Sequence, residues 1–363
     1  MVGCRGLSRG LGASSLALRK GEGTLVVKLE ALGWDARWQF QLDTWSEAPG
    51  VRAGRVSRVD RDAVSVLSAR GVERMQVSGA VVGDWVAIAS DAIEILPART
   101  ELRRGGDARR VSDLAIAANI DTVVVVEPLA PDANRNRIER FAVLATNSGA
   151  KTLVLLTKRD LVSDQAAQDA VQLIASLGLE AVALNATDVD EVRAFSARMS
   201  PAETYVFVGS SGAGKSTLLG SVVAGQELAT SEVRGDGRGK HTTTWRELFL
   251  TDAGALVIDT PGVRSVGMTG DIEGIEASFE DIQELAGLCR FSDCTHEVEP
   301  ECAVQRAIEQ GDLDEDRLRR YLKLRKEAES HAARAAEQGR GGERAATKGR
   351  KHAMGVLMRA KGR

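Results

Sequence analysis

The sequence predicts a multidomain chain: a small β-barrel, then an α/β domain with a mostly parallel sheet, then a small helical domain with clustered cysteines. Short apolar segments separated by turn residues fill the stretch from Ala31 to Pro97, which is typical of a barrel or sandwich. From Ile120 onward, strand patterns alternate with helical patterns, which favours a parallel sheet covered by helices. We expect these boundaries: an extension over 1–30, the barrel over 31–104, the α/β domain over 105–270, the helical domain over 271–330 and a basic tail over 331–363.

The composition excludes several classes of protein. The 363 residues are 43% apolar and contain only four cysteines, so the chain is not disordered throughout, collagen-like or a disulfide scaffold. It lacks the run of about 18 apolar residues that a membrane-spanning helix needs, and we expect a soluble cytoplasmic protein. The net charge of −3 conceals a basic end, because the tail from His331 carries nine Lys or Arg against two Glu, a net +7.

The first thirty residues lie outside the domain pattern. They are basic and lack an acidic residue before Glu22, and they include Cys4. We expect a disordered extension or an early start codon, with a transit peptide as the alternative.

Hydrophobic periodicity predicts the elements in order. Alternating runs predict front-domain strands at Val51–Val59, Ala63–Leu67, Val81–Ile88 and Ile93–Leu96. Runs rich in β-branched residues predict α/β-domain strands at Thr122–Val126, Thr152–Leu156, Ala181–Leu184 and Tyr205–Val208, and a hairpin formed by Thr244–Leu250 and Ala255–Asp259. Helical spacing predicts helices over Ile138–Thr146, over Ala166–Ser176, from Lys215 and over Asp312–Glu337.

A glycine-rich loop follows the Tyr205–Val208 strand and precedes a helix. It matches the pattern GxxxxGK[ST], in which backbone N–H groups surround a phosphate, the lysine reaches the β- and γ-phosphates and the last hydroxyl ligates Mg²⁺. A glycine-rich turn with an incidental lysine is the alternative. The predicted nucleotide contacts here are Gly209, Ser210, Ser211, Gly212, Ala213, Gly214, Lys215, Ser216 and Thr217.

Two later segments supply the other parts that a phosphate site needs. Asp259 ends an apolar strand and can hold Mg²⁺, and the N–H of Gly262 can contact the γ-phosphate. The stretch Gly239–Thr244 offers hydroxyls for the metal, which makes it a candidate switch loop, with a solvent loop as the alternative. We therefore predict Mg²⁺ ligands at Ser216, Thr243 and Asp259, and nucleotide contacts at Thr243 and Gly262.

A guanine-binding motif precedes the phosphate loop by about fifty residues. It matches [NT]KxD, in which the carboxylate accepts the N1–H and the N2 amine of guanine, groups that adenine lacks. The loop after the next strand can meet guanine O6 through a backbone N–H. Ordinary GTPases place the phosphate loop first, so the motif order here is permuted, which chain termini at the surface allow. The predicted base contacts are Thr157, Lys158, Arg159, Asp160, Asn185 and Ala186.

Three cysteines and one histidine lie within fourteen residues after the α/β domain: Cys289, Cys294, His296 and Cys302. These are ligand types that Zn²⁺ favours, and their spacing allows them to close a tetrahedral site. We predict one structural zinc ion that stabilises a small helical domain. Buried thiols beside a surface histidine are the alternative.

Together these segments resemble the circularly permuted ribosome small subunit-dependent GTPase A (RsgA/YjeQ) family. Membership implies an OB-fold front barrel, a circularly permuted P-loop GTPase and a zinc domain. It also implies a cytoplasmic enzyme that hydrolyses GTP to GDP and phosphate, is stimulated by the small ribosomal subunit, assists late maturation of that subunit and is then released. The similarity covers Leu32 to Leu324 and rests on Gly79–Val86, Leu96–Thr100, Asn119–Asp121, Arg137–Arg140, Thr157–Asp160, Gly209–Thr217, Gly239–Thr244, Asp259–Gly262 and the Cys, Cys, His, Cys cluster.

Two positions depart from common GTPase patterns. Thr157 stands where Asn is commoner, and we expect it to lose contacts to guanine N7 and to the phosphate-loop backbone, which lowers nucleotide affinity. Val263 follows Gly262 where Ras-type enzymes have glutamine, so the resemblance points to His241 as the catalytic residue that orients water. A structural role for His241 is the alternative. We expect slow hydrolysis until a partner orders the switch loop.

The expected partner is the small ribosomal subunit and its rRNA. A barrel of the OB type can bind nucleic acid, and Arg52, Arg55, Arg58 and Arg61 recur near one strand, although a solvated surface explains some of them equally well. The basic tail can neutralise phosphates, or it can be solubilising. We expect a monomer that is not bound to a membrane.

Two other functions fit parts of the sequence. An RNA-binding assembly protein could use GTP mainly as an occupancy signal, with turnover incidental. An ATP-dependent small-molecule kinase would share the phosphate loop but would not explain Asp160 or the clustered cysteines. GTP-specific phosphate release stimulated by small subunits separates the three functions.

Overall fold

The computed structural model describes residues 19–21, 24–45, 50–60, 63–90, 93–104, 114–130, 133–223, 247–259 and 272–334. The strands are β1 (Arg19–Gly21), β2 (Thr24–Val26), β3 (Arg52–Val59), β4 (Val64–Ser68), β5 (Gly71–Met75), β6 (Trp85–Ile88), β7 (Ile93–Ile95), β8 (Glu101–Arg104), β9 (Leu114–Ala118), β10 (Thr122–Pro128), β11 (Lys151–Thr157), β12 (Glu180–Ala183), β13 (Thr204–Gly209), β14 (Glu247–Leu250) and β15 (Leu256–Asp259). The helices are α1 (Ala36–Trp45), α2 (Arg135–Ser148), α3 (Asp164–Ala175), α4 (Val189–Ser196), α5 (Lys215–Val222), α6 (Glu273–Ser278), α7 (Glu280–Ala286), α8 (Ala303–Gln310) and α9 (residues 315–334), with short 3-10 helices at Leu29–Leu32 and Arg159–Leu161.

A parallel sheet forms the centre of the molecule. Its strand order is β12-β11-β10-β13-β15, all parallel, and β14 is antiparallel to β15. The mostly parallel α/β domain predicted from the alternating pattern is therefore confirmed. Because the strands are parallel, the ends of β10, β11, β13 and β15 lie along one edge, where ligands bind in such sheets.

Helices cover both faces of this sheet. Successive residues of β10 point to opposite faces, so Val123 and Val125 pack against α2 and α3 while Val124 and Val126 pack against α4 and α5. The central strands are consequently apolar at nearly every position, which is the pattern of a strand that is buried on both sides.

The front unit is an antiparallel sheet that joins the central sheet. Strand β3 pairs with β4 and β6, and it meets β14 through the pair Arg58 and Glu247. The predicted front strands are present, and the OB topology stays a prediction. Helix α1 corrects the expectation that this region contains only strands. It follows Asp35, whose carboxylate accepts the N–H groups of Arg37 and Trp38, and it buries Trp38 in the core.

Arg55 of β3 is buried and is not available for the RNA-binding patch that the sequence suggested. Arg55 is only 2% exposed, and it donates hydrogen bonds to the carbonyls of Leu32, Gly83 and Asn119 and to Thr204 Oγ1. These contacts connect the front unit to the start of β13. In the same region, Arg52 pairs with Glu73 and Arg58 with Asp60, while Arg61 lies outside the described residues.

The C-terminal helices form a small core of their own and dock onto α2. Phe279, Ile282, Val304 and Tyr321 fill this core, and Val143 of α2 packs into it. The helical domain predicted from the cysteine segment is present in α6 to α9. No helix in the described ranges is long and apolar enough to cross a lipid bilayer.

Candidate nucleotide site and metal centre

The glycine-rich loop lies at the ligand-binding edge of the central sheet. It leaves β13 at Gly209 and enters α5 at Lys215, as the sequence predicts. Gly209 has a φ of 141°, and a Cβ there would lie 2.1 Å from the carbonyl oxygen of Val126. Gly214 caps α5 with a φ of 88°. Glycine is required at the first position because the backbones of β10 and the loop touch.

Lys215 points back across the loop. Its Nζ donates to the carbonyl oxygens of Gly209 and Ser210, at 2.7 and 2.5 Å. Asp259 ends β15 on the neighbouring strand; burial raises the pKa of its carboxyl, and the positive charge of Lys215 opposes that shift. Ser216 and Thr217 are exposed in the first turn of α5, where backbone N–H groups favour an anion. The arrangement is suited to bind phosphates with a divalent cation.

The base-binding motif lies directly beside this loop. Thr157 is fully buried at the end of β11, and its hydroxyl donates to the carbonyl oxygen of Ala213 at 2.7 Å. The expected loss of contact with the phosphate-loop backbone is therefore wrong, because the shorter hydroxyl still reaches it. Lys158 has a φ of 60°, which turns the chain so that Asp160 is exposed at the rim.

A second loop completes this rim. Asn185 donates its backbone N–H to Glu191 at 2.7 Å, and Glu191 also pairs with Arg159 at 3.1 Å. A Cβ on Gly214 would lie 3.7 Å from the Cβ of Ala186, so the phosphate and base loops are in contact. Sequence reasoning missed Glu191. The available signal was its spacing: Glu191 lies three residues after Asp188, the N-cap of α4, where an acidic residue stabilises the start of a helix.

Glu127 is a further residue at this edge that sequence reasoning missed. It is 1% exposed, and its Oε1 accepts from Arg137 at 2.6 Å and from the N–H of Asn134 at 3.4 Å. The sequence signal that could have identified Glu127 is an acidic residue that directly follows the apolar run of β10. Of the other predicted site residues, His241, Thr243 and Gly262 lie outside the described residues.

The cysteines and the histidine converge in the C-terminal domain. The candidate ligand atoms of Cys289, Cys294, His296 and Cys302 all lie within 4.8 Å of one another. Cys289 and Cys302 have sulfur atoms 3.8 Å apart, and each lies about as close to His296 Nδ1, at 3.6 and 3.5 Å. Tetrahedral Zn²⁺ with bonds of about 2.3 Å to sulfur separates two thiolates by roughly 3.8 Å.

The surroundings of His296 also favour its metal-binding form. Burial lowers the pKa of His296, which favours the neutral ring that a metal ion requires. Cys302 is the N-cap of α8, and its sulfur accepts the N–H of Gln305. The four residues fit a closed tetrahedral metal centre.

Comparison with known proteins identifies relatives of this chain. A family model described as RsgA GTPase matches residues 95–269. The small ribosomal subunit biogenesis GTPase RsgA of Xanthomonas axonopodis pv. citri is 44% identical over 271 residues, 72% of this chain and 74% of that protein. The protein of the same name from Xanthomonas euvesicatoria pv. vesicatoria has the same identity and coverage.

Two crystal structures share the fold. YjeQ from Thermotoga maritima has a TM-score of 0.58 and 26% identity, and the match covers 77% of this chain and 98% of that one. YloQ, described as a circularly permuted GTPase, has a TM-score of 0.57 and 25% identity, over 78% and 97% of the two chains. The permuted motif order is shared with these neighbours, and the chain belongs to the RsgA GTPase family and is a GTP hydrolase.

Proposed function

We propose that this GTPase binds the small ribosomal subunit, assists its late maturation and hydrolyses GTP faster when bound there. The contact between the phosphate loop and the two base loops carries the nucleotide part of this proposal, because it assembles three motifs that are far apart in the chain. The ribosomal part is supported by the name of relatives that are 44% identical, small ribosomal subunit biogenesis GTPase.

The phosphate site supplies charge and positioning. Backbone N–H groups from Gly209 to Lys215 would surround the β-phosphate, and Lys215 would donate to oxygens of the transferred phosphate. Ser216, Thr243 and Asp259 would hold Mg²⁺, which neutralises phosphate charge when bound. Asp160, which is exposed at the rim, would accept the N1–H and N2 amine of guanine and exclude adenine.

We assign His241 to the orientation of the attacking water, and Gly262 to the γ-phosphate. The family resemblance supports the histidine, since Val263 has no polar side chain that could hold water. The subunit would order the switch loop and so place His241, which explains why the partner is needed for fast turnover.

The remaining parts serve stability and docking. The Cys289, Cys294, His296 and Cys302 cluster would hold one structural Zn²⁺, and its geometry supports that assignment. The front unit and the basic tail would contact rRNA, with the tail supplying most of the positive charge. We propose that the protein is a cytoplasmic monomer.

Phosphate release tests the proposal. The full chain is given GTP or ATP, each with and without purified small subunits, and the same assay is run on His241→Ala and Asp160→Asn. We expect strong stimulation with GTP only, loss of stimulated turnover in His241→Ala, and a KM for GTP at least about 100-fold higher in Asp160→Asn. Asp160→Asn should accept xanthosine triphosphate instead, because an amide can donate to its O2.

Asp169→Asn is the matched control, because Asp169 is exposed on α3 and bonds only locally with Gln165 in the described hydrogen-bond network. Equal use of ATP would contradict the GTPase assignment. Subunit binding that needs GTP but shows no stimulated hydrolysis would instead support the use of GTP as an occupancy signal.

A further inference from the structure

The carboxylate of Glu127 is buried at the edge that carries the nucleotide site. Its side chain is 2% exposed, against 34% for its ion-pair partner Arg137. Arg137 and the N–H of Asn134 both bond to Oε1, whereas Oε2 is buried and has no hydrogen-bond partner among the described residues. Such a half-satisfied buried carboxylate costs stability, so its presence calls for a role.

The position of Glu127 relative to the phosphate loop follows from the sheet register. Val126 of β10 pairs with Gly209 of β13, and Glu127 is the next residue of β10. Gly209 is also the residue whose carbonyl oxygen holds Lys215 Nζ at 2.7 Å. Glu127 therefore stands one residue beyond the backbone pair that anchors the phosphate-binding lysine.

Each strand that neighbours β13 carries an acidic group at this edge of the sheet. On the β15 side is Asp259, and on the β10 side is Glu127. Burial raises the pKa of both carboxyls; the charge of Lys215 opposes the shift at Asp259, while at Glu127 the shift is opposed first by Arg137 and least by Lys215. In the proposed function Asp259 faces Mg²⁺, which balances its charge, whereas Glu127 faces no metal ion.

We propose that Glu127 is a positioning residue that acts through Lys215: its fixed negative charge weakens the hold of the phosphate loop on the nucleotide phosphates and thereby speeds GDP release. The inference rests on the nucleotide site of the proposed function. A carboxylate close to a bound polyphosphate repels it, and a buried pair is poorly screened by salt. Arg137 anchors the carboxylate and offsets part of its charge from α2.

Three variants separate the effect of the Glu127 charge on GDP binding from a structural effect of the side chain. Glu127→Gln keeps an oxygen that accepts from Arg137 but removes the charge, and Glu127→Asp keeps the charge with a shorter chain. Arg137→Gln removes the offsetting cation from a half-buried position. The matched control is Glu180→Gln, which makes the same change of net charge. Glu180 is an exposed residue of β12 that pairs with Arg198.

The affinity for GDP and the rate of GDP dissociation are measured by calorimetry and stopped flow, and single-turnover GTP hydrolysis is measured alongside. We expect Glu127→Gln to bind GDP about 10-fold more tightly through slower dissociation, with a lower KM for GTP. Glu127→Asp should resemble the wild type, Arg137→Gln should bind GDP severalfold more weakly, and Glu180→Gln should change nothing. A purely structural role for Glu127 cannot tighten binding in one variant and weaken it in another.

Unchanged or weaker GDP binding by a folded Glu127→Gln would overturn the inference, as would unchanged or tighter binding by Arg137→Gln. If Glu127→Gln does not fold, the Arg137→Gln result decides. Failure of the wild-type chain to bind GDP at all would instead refute the nucleotide site of the proposed function.

Discussion

At the scale of single residues, Thr157 shows how a departure from a motif can be compensated. The sequence led us to expect a lost contact, because threonine lacks the amide that is common at this position. The hydroxyl nevertheless reaches Ala213 O at 2.7 Å and lies 3.5 Å from Glu127 O. The contact survives because β11 brings Thr157 close to the loop, with the Gly214 backbone adjacent.

Thr157→Val tests this contact with a side chain of the same shape. Removal of the hydroxyl leaves a buried carbonyl without its donor, and we expect a loss of about 1–2 kcal/mol in the free energy of unfolding. GDP should also bind about tenfold more weakly, because the loop loses support. Urea unfolding and calorimetry measure both effects. Thr44→Val is the control, since its exposed hydroxyl bonds only within α1 to Phe40 O in the described network, and equal losses in the two variants would contradict the assignment.

At the scale of elements, α2 is the helix that contacts both the nucleotide edge and the C-terminal domain. Its first turn carries Arg137, which pairs with Glu127. Further along, Glu139 is 3% exposed and accepts from Arg317 at 2.9 Å and Arg320 at 2.5 Å, both on α9. Glu139 of α2 therefore holds α9 against the GTPase domain rather than facing solvent.

Glu139→Ala tests the importance of this ion-pair cluster. It leaves two largely buried guanidinium groups without their shared carboxylate, although Arg317 keeps Asp281 at 2.6 Å. We expect a loss of about 3 kcal/mol in the free energy of unfolding, since removal of one partner of a buried ion pair leaves the other charge buried and uncompensated. Denaturant unfolding measures it. Glu315→Ala removes an exposed partner of Arg319 on the same helix and should cost less than about 1 kcal/mol.

At the scale of the whole molecule, the front and central sheets are continuous, whereas the C-terminal domain is joined by helix packing and carries a candidate metal centre. Cys302, Cys289 and Cys294 belong to or pack against the small apolar core that Phe279 and Tyr321 help to form. Free energies of structural zinc binding, on the order of 10 kcal/mol, exceed the stability of a domain of this size. The core should therefore depend on the bound ion.

Removal of the metal by a chelator should unfold the C-terminal helices and leave the nucleotide site intact. We expect loss of helical circular dichroism and rapid proteolysis within residues 272–334, while GDP binding persists. Cys302→Ala should behave like the chelated protein. Cys4→Ser, at a cysteine outside the described residues, should not. An unchanged spectrum after verified metal removal would refute the structural role.

The sequence by itself determined the central strands, the candidate nucleotide loops and the candidate metal ligands, because each depends on local backbone geometry or on short spacing. Gly209 and Gly214 identify a phosphate loop wherever it occurs. The tertiary structure alone decided that Arg55 is buried, that Glu127 follows the residue of β10 that pairs with Gly209, and that α2 binds α9. Arg55 bonds to residues 64 and 149 positions away. The hydrophobic periodicity that predicts helices and strands does not identify such partners, because the burial of a charge depends on distant groups that the fold brings together.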